Sequence, residues 1–72
     1  MQEELTLLID KTIKIRFKFP NHHGFIIGTL IHARALNYFS ILNADSFIKF
    51  SLEDISSINL SAAIPTIHIN LG

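Results

Sequence analysis

Thr12-Ile13-Lys14-Ile15-Arg16-Phe17-Lys18-Phe19 is the stretch that decides the fold. Every second residue is apolar. On an extended chain Ile13, Ile15, Phe17 and Phe19 point one way, and Thr12, Lys14, Arg16 and Lys18 the other. A helix, with its period of about 3.6 residues, would scatter both sets around its axis. The segment therefore predicts a half-buried strand with a basic outer face. Beyond it, Pro20-Asn21-His22-His23-Gly24 carries turn chemistry. Phe25 to Arg34 then reads as a second strand, apolar on both faces, with Gly28 in its middle. A glycine inside a strand marks a bend or a close backbone approach.

Further out the same logic gives a third strand, Leu36 to Leu42, a tight turn at Asn43-Ala44-Asp45-Ser46, and a fourth strand, Phe47 to Leu52. Glu53-Asp54-Ile55-Ser56 suits one turn of 3₁₀ helix before a short fifth strand, Ser57 to Leu60. Ala62-Ala63 and Pro65 interrupt the pattern, and Thr66 to Leu71 alternates again, with Ile67, Ile69 and Leu71 on one side. On the N-terminal side, residues 2 to about 10 place Leu5, Leu8 and Ile9 on one helical face. Glu3 and Glu4 sit at the positive end of the helix dipole. So short a helix is unstable alone and has to dock on something. A helix followed by short strands with brief connections predicts a small, closed or nearly closed barrel. Its expected interior is Ile13, Ile15, Phe17, Ile27, Leu30, Phe39, Ile41, Ile48 and Phe50.

Composition bounds the rest. The 72 residues make a single domain, which this reading extends over 1–72. Hydrophobic residues are 49% of the chain and charged ones 17%. A domain this small has little interior, so the surplus apolar surface calls for a subunit interface. There is no cysteine, which removes disulfides and thiolate metal sites and fits a reducing, cytoplasmic setting. No apolar run approaches the roughly 20 residues that span a bilayer. Met1-Gln2-Glu3-Glu4 is acidic where a signal peptide is basic. The expectation is no membrane partner. Formal net charge is +0, but Lys11, Lys14, Arg16 and Lys18 crowd together, leaving Arg34 and Lys49 elsewhere.

Within this order of elements, Gly28-Thr29-Leu30 is similar to the glycine-x-hydrophobic step of the Sm1 motif, and Leu36-Asn37 to its hydrophobic-asparagine end. Asp54-Ile55-Ser56-Ser57-Ile58 is similar to the Ala-Ile-Ser-Thr-Val that opens the last strand of Hfq. The chain thus resembles the Sm/LSm family, including its bacterial Hfq branch, over about residues 3 to 60. The resemblance implies a mainly β fold: a short N-terminal helix followed by a five-stranded, strongly bent antiparallel Sm-like (SH3-like) barrel. Residues 62–72 add an extra C-terminal strand without counterpart in the family core. The chain also departs from the family at identifiable positions. Ala33 stands where Sm1 carries an aspartate, and Ala35 where it carries a base-stacking side chain. The Ile-Arg-Gly signature of Sm2 is missing, and Ser51-Leu52-Glu53 replaces the Tyr-Lys-His of Hfq.

These residues point away from catalysis, because no nucleophile has a base at a recognisable spacing. Nor do the four histidines, His22, His23, His32 and His68, have carboxylates at ligand spacing, so neither metal nor cofactor is expected. Lys14, Arg16 and Lys18 offer phosphate contacts, since clustered basic groups release counterions on binding a nucleic-acid backbone. The stripe carries no aromatic of its own, which argues against base stacking there. The resemblance makes Asn37 a base-edge contact, with Tyr38 and Arg34 beside it. Tyr38 and Phe39 alternate, so one of them belongs to the core. For assembly, the resemblance implies that Phe47, Ile48, Lys49 and Phe50 pair with Ser57, Ile58, Asn59 and Leu60 of a neighbouring copy. That arrangement closes a ring of about five to eight subunits. Two functions remain in view: a ring that binds single-stranded RNA, and a structural or protein-docking ring that has lost it.

Overall fold

The alternation at the start of the chain becomes the first strand of a six-stranded sheet. The computed structural model describes residues 2–18, 23–32 and 38–70. In chain order the elements are α1 (Gln2–Leu8), β1 (Thr12–Lys18), β2 (His23–His32), β3 (Tyr38–Leu42) and β4 (Phe47–Ser51). A 3₁₀ turn (Leu52–Asp54), β5 (Ile55–Asn59) and β6 (Thr66–Asn70) follow. The expected helix and six strands are present; β2 begins at His23, inside the expected turn, and the ends expected at Phe19, Arg34, Leu36 and Leu71 lie outside the described residues. The 3₁₀ turn begins at Leu52 rather than Glu53, and β5 begins at Ile55 rather than Ser57.

The strand order is β4-β3-β2-β1-β6-β5. Sequential neighbours from β1 to β4 pair antiparallel, as does β5 with β6. β6, however, runs parallel to β1, matching Lys14 to Thr66, Arg16 to His68 and Lys18 to Asn70. The sheet is therefore mixed, where a five-stranded antiparallel barrel with an extra C-terminal strand was expected. The C-terminal strand is present. It lies inside the sheet between β1 and β5, and its Ile67 and Ile69 are buried. A strand flanked on both sides loses all access at its inward positions, which explains why those two isoleucines rank with the core.

Phe50 on β4 and Ile55 on β5 belong to the same hydrophobic cluster as Ile13, Ile15, Leu30, Phe39 and Ile41. The two ends of the sheet thus face one core, so the sheet curls around it. Leu5 and Leu8 of α1 join that cluster, giving the helix its docking surface. The chain leaves the helix through Asp10, the one described non-glycine residue with positive φ (67°). Asp10 N donates to Leu30 O at 2.8 Å, and Leu30 N donates to Lys11 O at 3.1 Å, pinning this exit to β2.

One expected core residue is misplaced. Ile27 is exposed, and Ile26 takes its place inside. The run Phe25-Ile26-Ile27 has no alternation, so its facing is set by pairing: Ile26 lies opposite buried Ile15, and Ile27 opposite Lys14. Phe17 and Ile48 are half-buried against the cluster. Gly28 answers a close approach. A Cβ there would collide with the backbone carbonyl of Leu42, whose carbon would lie 2.8 Å away. That approach is held by Asn43, whose Nδ2 donates to Ile27 O at 3.3 Å. Its Oδ1 meanwhile accepts from Asp45 N at 2.9 Å and Ser46 N at 3.0 Å, forming the expected turn.

Candidate functional site

Cross-strand register puts side chains of neighbouring strands on a common face. On the outer face, β1 contributes Lys14, Arg16 and Lys18, as its alternation requires. β2 sets Phe25 opposite Arg16 and Ile27 opposite Lys14. β6 sets His68 opposite Arg16 and Asn70 opposite Lys18. Arg16 therefore stands in a row between Phe25 and His68. Phe25 is 57% exposed, and the Lys14 ammonium lies 4.6 Å from its ring centroid. The basic stripe has an aromatic beside it after all. It comes from the adjacent strand, which a reading of β1 alone misses.

Beside this row opens a cleft of about 340 Å³ lined by Arg16, Lys18, Ser56, His68 and Asn70. Phe17, Ile69 and Gly24 complete its lining. It sits where β1 and β6 end and β2 and β5 begin. Ser56 Oγ donates to His68 O at 3.1 Å, tying the irregular start of β5 to β6 at this point. No acidic residue occurs on β1, β2, β5 or β6. Glu3 and Glu4 are on the helix, Asp10 on the link to β1, Asp45 in the β3–β4 turn, and Glu53 and Asp54 in the 3₁₀ turn. A chain of zero formal charge thus presents a cationic face.

Comparison with protein-family models, with curated proteins and with solved structures finds no match.

The remaining expected site residues divide in three ways. Asn37 and Arg34 lie outside the described residues, as do Phe19, His22 and Leu71. Tyr38 is exposed and Phe39 buried, the split that alternation anticipated. The Lys49 ammonium lies 4.6 Å from the Tyr38 ring centroid, a second lysine-aromatic contact. Glu53 is exposed, while Leu52 packs against the core. Asp54 closes the 3₁₀ turn by accepting from Ser51 N at 2.9 Å. Among the described residues no group of three or more histidine, cysteine or acidic side chains is gathered as a metal site would need.

The strands expected at the subunit interface, β4 and β5, occupy the two ends of the sheet, each with one strand partner. Their core-facing side chains are Phe50 and Ile55, which are buried, and Ile48 and Ile58, which are half-buried. Lys49, Ser57, Asn59 and Leu60 are exposed. Phe47 is 64% exposed at one edge, and Leu60 is 45% exposed just past the other. No helix among the described residues is long and apolar enough to cross a membrane.

Proposed function

We propose that this chain is an Sm-like, ring-forming protein that binds single-stranded RNA without catalysing a reaction. The observation that carries the reading is the pair of sheet edges. Among the described residues β4 and β5 end the curled sheet with one strand partner each, with exposed Phe47 on the one and exposed Leu60 just past the other. Joining β4 of one copy to β5 of the next satisfies both edges and repeats head to tail until the ring closes. Ring closure would bring together one Asn37 per subunit, with Tyr38 and Arg34 beside it. Linked sites raise avidity even when each is weak. The ring belongs in the cytoplasm and needs no cofactor.

Exposed Glu53 supports the second reading, a ring that serves as a structural or docking scaffold. Repeated around a ring, that carboxylate repels phosphate where Hfq carries basic groups. Two measurements test these readings. Light scattering at micromolar concentration is expected to return a multiple of the 8.1 kDa chain mass, and a monomer mass would end the ring reading. Titration with fluorescent uridine-only and adenosine-only oligonucleotides is expected to show binding that weakens with salt. A ring with no affinity even at low salt would leave the scaffold reading.

A further inference from the structure

We infer that the outer face of β6, β1 and β2 is itself a track for single-stranded nucleic acid, with a base stacked on Phe25 and the adjoining phosphates held by Arg16, Lys18 and the cleft beside His68. This rests on the RNA reading and names a contact surface that does not draw on Asn37.

Three observations converge on it. The first is the aromatic. Phe25 lies 57% exposed on a sheet surface, beside the basic side chains of β1. Its ring already has a cation at 4.6 Å, so the electrostatics that favour an electron-rich face are in place. The second is register. Arg16 is the cross-strand partner of both Phe25 and His68, so aromatic, guanidinium and imidazole are neighbours on successive strands about 5 Å apart. The third is the cleft of about 340 Å³, whose polar lining is Arg16, Lys18, Ser56, His68 and Asn70, with no carboxylate among them.

Together these supply what sequence-tolerant strand binding requires, a cationic groove running past a stacking platform. An aromatic open to solvent suits an unpaired base, because a duplex keeps its base faces stacked on each other. An arginine offers a phosphate two parallel donors, which a lysine does not. Arg16 accordingly sits between platform and cleft, with Lys14 and Lys18 as point charges on either side. The strand that completes the cleft is β6, so the C-terminal segment contributes directly to the surface.

The test uses the full chain in its native assembly and the same fluorescent oligonucleotides, read by anisotropy across a salt series. Phe25→Ala is expected to weaken binding by about five- to 150-fold, the loss that follows removal of one stacking platform. Phe25→Trp should restore it, which a merely structural role for the ring would not produce. Arg16→Gln should weaken uridine and adenosine oligonucleotides alike and lower the salt slope by about 0.7, one released counterion on a single strand. Both side chains are exposed in this face, and light scattering of each variant should return the wild-type mass. If the wild type binds but Phe25→Ala and Arg16→Gln bind equally well, the track is wrong while RNA binding through Asn37 survives. If Phe25→Ala changes the particle mass and leaves affinity alone, the face belongs to a second copy and the inference fails. If the wild type itself binds neither oligonucleotide at low salt, both the track and the RNA reading fall.

Discussion

Gly28 and Asp10 show how single residues fasten β3 and the exit of the helix to β2. At Gly28 the obstruction is the Leu42 main chain, which cannot rotate away as a side-chain tip can. Gly28→Ala must therefore push β3 off β2 or distort the Asn43 turn. The expected loss is about 1–3 kcal/mol, the usual range for overpacking, measurable by urea denaturation. An unchanged midpoint would mean that Leu42 does not approach this closely. Asp10 occupies the left-handed region at φ 67°, where a β-branched side chain is far less tolerable than an aspartate. Asp10→Val should cost about 1–2 kcal/mol, while Asp10→Asn should be nearly neutral. Much of this scale was legible in the sequence. The facing of Ile13 and Ile15, the split of Tyr38 from Phe39 and the Asn43 turn all follow from alternation or turn chemistry. Ile27 was not legible. Three apolar residues in a row carry no phase, and only pairing with β1 decides which of them turns inward.

At the scale of elements, the least expected feature is the position of β6. Alternation reports which face of a strand is buried, but not which strands stand beside it. Nothing in Thr66-Ile67-His68-Ile69-Asn70 distinguishes an edge strand from one inserted between β1 and β5. The cleft was hidden for the same reason, since Arg16 and His68 meet only through that parallel pairing. Placement inside the sheet gives β6 two structural duties: it hydrogen-bonds β1 and β5 at once, and it supplies Ile67 and Ile69 to the core. Ile67→Ala is thus expected to cost about 2–5 kcal/mol. That is a large share of the stability of a small domain. Truncation before Thr66 should go further and abolish the cooperative thermal transition seen by circular dichroism. A truncated chain with an undiminished transition would mean that β5 can pair β1 directly and that β6 is dispensable.

For the whole molecule the governing fact is an imbalance between apolar content and interior. Phe25, Ile27 and Ile31 on β2, Leu42 on β3 and Phe47 on β4 all remain substantially exposed in the single chain. Leu42 and Phe47 are cross-strand partners at the β4 edge, so a large part of this surface lies where a neighbouring copy is proposed to dock. The proposed contact is head to tail, joining two different edges, and this has a consequence that a symmetric dimer does not share. Phe47 and Leu60 sit at opposite ends of the sheet and are exposed, so each can be replaced without entering the core. Phe47→Glu should spoil the β4 edge and leave β5 sound; Leu60→Glu should do the reverse. Each variant alone then has no sound pair of edges and is expected to run as a monomer by light scattering. Mixed together, the sound β5 edge of the first meets the sound β4 edge of the second. The spoiled edges at either side stop growth, so the mixture should give a heterodimer and nothing larger. A mixture that stays monomeric would contradict the joining of β4 to β5, and variants that retain the wild-type particle mass on their own would place the interface elsewhere on the molecule.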